Sequence, residues 1–294
     1  MKLDPLSLRL FVSVVEEGTI AAAATREHIA AAAVSKRLSE LEDQLNTQLL
    51  TRSNKGITVT AAGVALLNLA RGVLNDLDNI VSQMQDFSSG TRGSVRVLAN
   101  ISAITQFMPA ALQSFLAKHP LVQVNLQEKV STAVIRGVAE NIADIGIFTQ
   151  VPYGDNLEVH RYRNDELVLI VPANHPLSNR SSVSFAETLD FEFVGLHVGS
   201  SLNFQMIKAA SELGRSLKLR IQVTSYDAQC LMVEAGLGIG LLPKISVDTY
   251  NALAIKTVGL DEPWAHRQLD ICVRSYDSLS VAAKLLFNHF QSNK

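Results

Sequence analysis

Apolar positions along the first ninety residues recur at helical spacing almost without a break. Leu6, Leu10, Phe11, Val14 and Val15 fall on one face. Gly18-Thr19 ends that run, and Thr19 is of the type that caps a following helix. Ile20 to Glu27 is rich in alanine, the strongest helix former. A turn near His28-Ile29 leads to a second run, Ala31 to Leu45, where Val34, Leu38, Leu41 and Leu45 recur at steps of four, three and four. Two short helices across a tight turn form a helix-turn-helix pattern. The segment Arg52 to Thr60 differs in kind. A polar turn with Asn54 and Gly56 precedes Ile57, Thr58, Val59 and Thr60 in alternation, which predicts a small β-hairpin, or wing. Thr60 then caps another helix.

That helix runs from Ala61 to Phe87 without proline. Leu66, Ala70, Val73, Leu77, Ile80, Met84 and Phe87 follow steps of 4, 3, 4, 3, 4 and 3. This is a heptad seam, which calls for a pairing helix from a second subunit; the alternative is packing on the core of its own domain. Ser88 to Gly93 is a flexible break. Strands then alternate with helices. The strands fall at Val95–Ala99, Val122–Glu128, Asp144–Phe148, Leu167–Val171, Phe193–Leu196, Leu219–Val223, Ile239–Leu242 and Leu269–Val273. The helices fall at Ile104–Lys118, Thr132–Glu140, Leu202–Leu213, Ala228–Ala235, Lys244 to about Asn251, and Leu279–Phe290. Such alternation predicts largely parallel sheets with helices on both faces.

Composition narrows the function classes. The 294 residues suffice for two domains or one large one, and 47% hydrophobic with 18% charged residues suits a globular chain with an ample core. A formal net charge of −2 does not advertise nucleic-acid binding. Any DNA contact therefore depends on where the basic residues of the first sixty stand: Lys2, Arg9, Arg26, Lys36, Arg37, Arg52 and Lys55. Cys230 and Cys272 lie in apolar runs and read as core residues in a reducing compartment. No signal segment opens the chain and no apolar run approaches the roughly 20 residues that span a bilayer, so a cytoplasmic location without membrane contact is expected. Gly236, Gly238 and Gly240 precede a strand rather than follow one, unlike a dinucleotide fingerprint. The seven histidines show no metal-ligand spacing, and no nucleophile elbow or Cys/His arrangement is present. No cofactor, metal or enzymatic activity is expected.

Several stretches carry a family resemblance. Leu10 to Thr19 with Ala22-Ala23-Ala24, and Val34 to Glu42, resemble the opening of LysR-type transcriptional regulators. Leu49-Leu50-Thr51-Arg52 and Thr58 to Gly63 are similar to that family's wing and the start of its linker helix. Ala143 to Ile147, Val171-Pro172 with His175-Pro176-Leu177, and Gly236 to Pro243 resemble its sensing domain. The resemblance spans essentially the whole chain in the right order. It implies a multi-domain protein: an all-α winged helix-turn-helix (residues 1–60), a linker and dimerisation helix (61–89), a hinge (90–93), and an α/β effector domain of the type II periplasmic-binding-protein kind. That domain has subdomain I at 94–165 and 267–294 and subdomain II at 166–266, with crossover strands near Asn164–Leu167 and His266–Leu269. It further implies a homodimer or homotetramer, a small-molecule effector and contact with RNA polymerase.

Where many members carry Ser-Gln-Pro at the start of the recognition helix, this chain has Ala30-Ala31-Ala32. Alanine offers a base edge only apolar contact, for instance with a thymine methyl. The exposed face of that helix includes Ala31, Ala32, Ser35 and Lys36. Ser35 suits a base edge or phosphate; Lys36 and Arg37 suit phosphates, and Lys36 can also reach a guanine. Arg52 and Lys55 flank the wing turn beside the backbone or minor groove, and Thr19 near a helix start suits a phosphate. Arg26 and Arg71 are left out of the site.

Ligands of open α/β sheets bind beyond the carboxyl ends of strands, at helix starts. These points predict effector contacts at Asn100, Ser102, Thr132, Phe148, Ser200, Ser201 and Tyr226. Hydroxyls at helix starts favour a carboxylate or similar anion, whereas Asp227 opposes one, so the ligand charge stays open. The competing reading of each hydroxyl is a plain helix cap. A ligand-responsive DNA-binding regulator is the leading function. A solute-binding or transport-associated protein and an α/β enzyme with a helical appendage are the alternatives.

Overall fold

The first helix shows how local rules set the N-terminal part of the structure, a computed structural model. It describes residues 3–53, 56–89, 92–149, 151, 152, 154, 156–197, 199–250 and 252–292, without the side chains of 52, 53, 56, 79, 82, 83 and 85–89. Helix α1 (Pro5–Glu17) starts where proline needs no hydrogen-bonded N–H, and the Asp4 carboxylate accepts from the N–H groups of Leu6 and Ser7. It stops at Gly18, whose φ of 73° is left-handed and open to glycine at little cost. Helices α2 (Ile20–Arg26) and α3 (Ala31–Leu45) follow, then strands β1 (Leu50–Ser53) and β2 (Gly56–Val59) and helix α4 (Ala61–Ser89). Thr19 caps α2 by accepting from the Ala22 N–H.

Chain contacts divide the molecule into two units, Met1–Gly93 with Glu140–Ile142, and Ser94–Ala139 with Ala143–Lys294. In the first, Leu10, Phe11, Val14, Val34, Leu38, Leu41, Leu49 and Leu50 form one core. Strands β1 and β2 pair antiparallel, with Thr51 opposite Thr58. Glu42 ties this wing to α3, accepting from the N–H groups of Leu49 at 2.8 Å and Leu50 at 3.0 Å. Thr60 caps α4 by accepting from the Gly63 N–H. The heptad seam of α4 is divided. Ala70 is buried and Leu66 half-buried against the unit's own core, while Val73, Leu77, Ile80 and Met84 are exposed. The seam thus packs on its own domain over one half and is left uncovered over the other. The Phe87 side chain lies outside the described residues.

The second unit runs β3 (Gly93–Ala99), α5 (Ile101–Gln106), α6 (Met108–Lys118), β4 (Val122–Glu128), α7 (Ser131–Ala139), β5 (Ile145–Thr149) and β6 (Glu158–Pro172). It continues with β7 (Ser182–Val183), α8 (Phe185–Thr188), β8 (Phe193–Leu196), α9 (Ser201–Glu212), β9 (Leu219–Val223), α10 (Tyr226–Glu234), β10 (Gly240–Pro243) and α11 (Lys244–Val247). Strands β11 (Ile255–Leu260) and β12 (His266–Val273) and helix α12 (Val281–Ser292) complete it. Two lobes share strand β6. Its first part, from Glu158 to Glu166, pairs antiparallel with β12; its last part, from Leu167 to Pro172, lies between β10 and β11. The first lobe has strand order β4-β3-β5-β12-β6, and the second extends from β6 through β11 to β7. Strands β8 and β9 pair in parallel, and Phe193 bridges to Ile239.

The largely parallel sheets expected from strand–helix alternation are corrected here. Parallel pairs such as β3 with β5 occur, but every described pairing of β12 and β6 is antiparallel. The reason lies in elements whose pattern carries little signal. The start of β6, Glu158 to Arg163, is mostly charged or polar, and β11 is broken by Lys256, Thr257 and Gly259. The single helix expected over Ile104–Lys118 is two. Pro109 removes an N–H and crowds the carbonyl four residues back, so the helix restarts at Met108 with proline in its first turn.

Gly63 stands where α4 meets the wing, and a Cβ there would overlap the Leu49 carbonyl oxygen and come within 2.6 Å of Val59. Gly63→Ala is expected to destabilise the first unit by about 1–3 kcal/mol, the usual cost of overpacking. Urea unfolding followed by helical circular dichroism checks this, and an unchanged midpoint would contradict the packing described.

Candidate nucleic-acid interface and ligand cleft

Helix α3 presents Ala31, Ala32 and Lys36 to solvent, opposite the buried Val34, Leu38 and Leu41. Its N-cap is Ala30, which supplies no side-chain bond; the Ala33 N–H donates to the Ala30 carbonyl, so it is the amides of Ala31 and Ala32 that can take an outside acceptor. Ser35 is half-buried. Lys36 is highly exposed and lies 3.8 Å from Glu40 one turn on, a loose pair that leaves the ammonium able to reach outward. Arg37 is engaged differently, binding the α1 cap residue Asp4 at 2.6 Å and so clamping α3 to the start of α1. Thr19 is exposed, with its hydroxyl used as the α2 cap. The Arg52 side chain and Lys55 lie outside the described residues. Arg26 pairs with Glu16 and Glu17, and Arg71 with Glu16, so both serve the fold.

In the second unit three adjoining cavities follow the gap between the lobes. One of about 290 Å³ is lined by Ser102, Lys129, Ser131, His197, Ser200 and Tyr226, among others. One of about 240 Å³ lies against Thr149, Gln205, Trp264 and Arg267. A third, of about 420 Å³, lies against Thr132, Val151, Phe204 and Ile207. Ser201, in the first turn of α9, lines all three.

The predicted contacts divide by what they touch. Asn100 caps α5, accepting from the Ala103 N–H at 3.0 Å and donating to Ser131 Oγ at 3.2 Å and Thr149 Oγ1 at 2.6 Å. It thereby ties the ends of β3, α7 and β5 together as a structural knot. Ser102 and Tyr226, from opposite lobes, are buried and share a hydrogen bond of 3.1 Å. Burial pushes the Tyr226 hydroxyl above its ordinary range, so it stays protonated as a hydrogen-bonding group. Ser200 and Ser201 line the cleft, and Thr132 lines its outer compartment. Phe148 is placed elsewhere: it is fully buried among Leu98, Val134, Val138 and Cys272 and lines none of the three cavities. All of β5 is buried, and the strand brings Thr149, one residue further, to the cleft instead. Asp227 is held by the Tyr250 hydroxyl and lines none of these cavities either.

Sequence reasoning missed the group under the cleft. Arg267 of β12 and Asp165 of β6 are cross-strand partners at the point where β6 passes between lobes. The Arg267 Nε donates to Asp165 Oδ1 at 2.8 Å, and Nη2 donates both to the other carboxylate oxygen and to Ser102 Oγ, the latter at 3.2 Å. Gln106 adds a bond of 2.9 Å to the same carboxylate. The side chains are 8% and 0% exposed. Nothing in the local pattern of either residue announces a partner 102 positions away. His197 was also missed; its Nδ1 is buried, has no hydrogen-bond partner among the described residues and belongs to a residue lining the 290 Å³ cavity. Both thiols are buried, which pushes Cys230 and Cys272 up to about 12, so at neutral pH they behave as core side chains.

A winged helix-turn-helix unit and a two-lobed α/β unit with a cleft, carried in one chain, are the two parts of a ligand-responsive transcriptional regulator. The family model for the bacterial regulatory helix-turn-helix protein, lysR family, matches residues 6–64, and that for the LysR substrate binding domain matches residues 88–294. The chain belongs to the LysR family. It is a DNA-binding transcriptional regulator with an effector-binding domain, and not an enzyme. It is 26% identical over 287 residues to the HTH-type transcriptional regulator YbhD of Escherichia coli strain K12, covering 98% of this chain and 90% of that one. It is 25% identical over 280 residues to the RuBisCO operon transcriptional regulator of Allochromatium vinosum, covering 94% and 91%. Among solved structures, full-length OxyR from Pseudomonas aeruginosa shares the fold at a TM-score of 0.78 and 19% identity, covering 99% of this chain and 95% of that one. Full-length CbnR, solved with its target DNA, shares it at 0.69 and 21%, covering 99% and 100%.

Removing one partner of a buried ion pair strands a charge. Arg267→Met is therefore expected to lower unfolding stability by about 3–5 kcal/mol, and the double variant Arg267→Met/Asp165→Leu to regain most of that loss. Denaturant midpoints of the three proteins decide it; equal losses in the single and double variants would rule out the stranded-charge account.

Proposed function

We propose that this regulator binds a specific DNA sequence through two copies of α3, carried by α4 helices paired in a homodimer, and that a small molecule seated between the lobes tunes that binding. The observation that carries the reading is the uncovered half of the α4 seam: Val73, Leu77, Ile80 and Met84 face solvent from a helix whose other end is packed on its own domain. A run of apolar residues at heptad spacing is a pairing surface. Two-fold pairing sends two α3 helices into successive major grooves, so the operator is roughly palindromic. On the DNA, Lys36 neutralises phosphate, and the open amides of α3 suit another, as helix starts do. Ser35, Thr19, Arg52 and Lys55 flank the duplex, while Ala31 and Ala32 give apolar contact, leaving part of the specificity to DNA shape.

In the cleft, Ser200, Ser201 and Thr132 take the effector, with Ser102 and Tyr226 linking the lobes beneath it. An acidic ligand group fits the start of α9, and a shift in lobe closure alters how the dimer or a tetramer of it presents α3 to DNA and to RNA polymerase. The protein acts in the cytoplasm. No described helix is long and apolar enough to cross a membrane.

Gel shifts on the DNA upstream of the protein's own gene, across a salt series, test the interface. Each phosphate contact contributes about 0.9 to the log–log salt slope. With one Lys36 on each subunit of the dimer, Lys36→Ala is expected to weaken binding to all sequences and to lower the slope by about 1.8, two contacts' worth; an unaltered slope removes Lys36 from the interface. Ile80→Glu is expected to give monomers by sedimentation and to lose cooperative operator binding. A dimeric Ile80→Glu protein would refute the stalk.

A further inference from the structure

The cleft carries polar groups at one helix start and an apolar wall further along the same helix. Helix α9 is twelve residues long, and the side chain of its N-cap residue Ser200 makes no bond to the helix it caps. Ser200 is 7% exposed, and its hydroxyl has no other hydrogen bond among the described residues. His197, which lines the same cavity, has its Nδ1 buried without a partner among the described residues. A buried hydroxyl, an unsatisfied ring nitrogen and the open amides of a helix start suit a carboxylate. Lys129 also lines this compartment, beside Glu128. The 420 Å³ compartment shares Ser131, Ser200 and Ser201 with it, so the two adjoin at those serines. Its outer walls are apolar: Val151, Pro152, Phe204 and Ile207. Phe204 is 69% and Ile207 50% exposed, apolar surface that one side of α9 leaves uncovered.

We propose that the effector is an amphipathic monocarboxylate, with its acid group at the start of α9 and a ring or alkyl tail of about six to ten carbons against Phe204, Ile207, Val151 and Pro152. An apolar cavity of roughly 150 Å³ holds one benzene ring. The outer compartment, at about 420 Å³, has room for more than that. The tail covers the apolar side chains that water otherwise meets, and the shared serines set the point where head becomes tail. This inference rests on the reading that the effector sits between the lobes.

The test is calorimetric titration of the full chain with butanoate, hexanoate, octanoate and decanoate, and with octan-1-ol as a headless control. Burying a methylene raises affinity about fourfold. Affinity is expected to climb by roughly that factor for each added methylene up to about eight carbons, with octan-1-ol at least about tenfold weaker than octanoate because it lacks the charge. Phe204→Ser and Ile207→Ser, both at exposed positions, are expected to flatten the chain-length dependence, weakening octanoate and decanoate more than butanoate. Ser200→Ala is expected to weaken every acid by a similar factor with the dependence intact. Equal affinity along the series, an unaltered dependence in Phe204→Ser, or binding of no acid overturns the proposal. So does a Phe204→Ser protein whose ligand affinities hold while its sedimentation shifts, since the apolar wall then belongs to subunit contacts. The underlying cleft reading is judged separately: Ser200→Trp fills the cleft, and a reporter that still responds normally in that variant removes the effector from between the lobes.

Discussion

Everything in the ligand-binding unit depends on one strand being shared by two sheets. Strand β6 pairs with β12 in the first lobe and with β10 and β11 in the second. A strand cannot shift register by one residue without turning its buried face outward. Both lobes are therefore held in register by the same backbone, and the space between them is defined where β6 leaves one sheet for the other. The buried Asp165–Arg267 pair stands at that point. A buried ion pair is poor evidence of net stability, because removing two charges from water costs much of what their attraction returns. Its effect is geometric. It ties the crossover strands together and passes through Ser102 to Tyr226, so the lobes are joined by a chain of directed bonds.

The same logic gives the cleft its character. Side chains that first look like ligand groups divide into those spent on the protein and those left over. Asn100 has its donors and acceptor engaged, and Ser102 and Tyr226 engage each other. Ser200 makes no side-chain bond to the helix it caps, and His197 Nδ1 is buried without a partner among the described residues, both beside the cavity. An unsatisfied buried polar group costs free energy unless something outside the chain completes it. That difference separates a site from a scaffold.

At the DNA-binding end the fold carries an alanine-rich helix start. Three exposed alanines follow a cap without a side-chain acceptor. The helix is held instead by its apolar stripe and by the Arg37 clamp to Asp4. The positive charge offered outward from α3 is thus reduced to Lys36 among the described residues, in keeping with a chain of net charge −2.

The sequence by itself determined the local elements and their order. Val34, Leu38 and Leu41 placed α3 with the bounds observed, and β4, β8 and β9 also coincide with the alternating or apolar runs that predicted them. Caps at Thr19 and Thr60 were legible because a cap is a bond over two or three residues. The heptad seam was legible, but not its division, since which half faces its own domain depends on where that domain's core ends. The rule about helix starts pointed to Ser200 and Ser201, which line the cleft, and to Phe148, which lies in a core instead. The neighbouring Thr149 lines the cleft, because the facing of a strand buried on both sides is decided by what packs on it. Tertiary structure alone decided the sharing of β6, the antiparallel pairings and the Arg267–Asp165–Ser102–Tyr226 chain. Those depend on contacts between residues a hundred or more positions apart, and periodicity records only what a residue's near neighbours require.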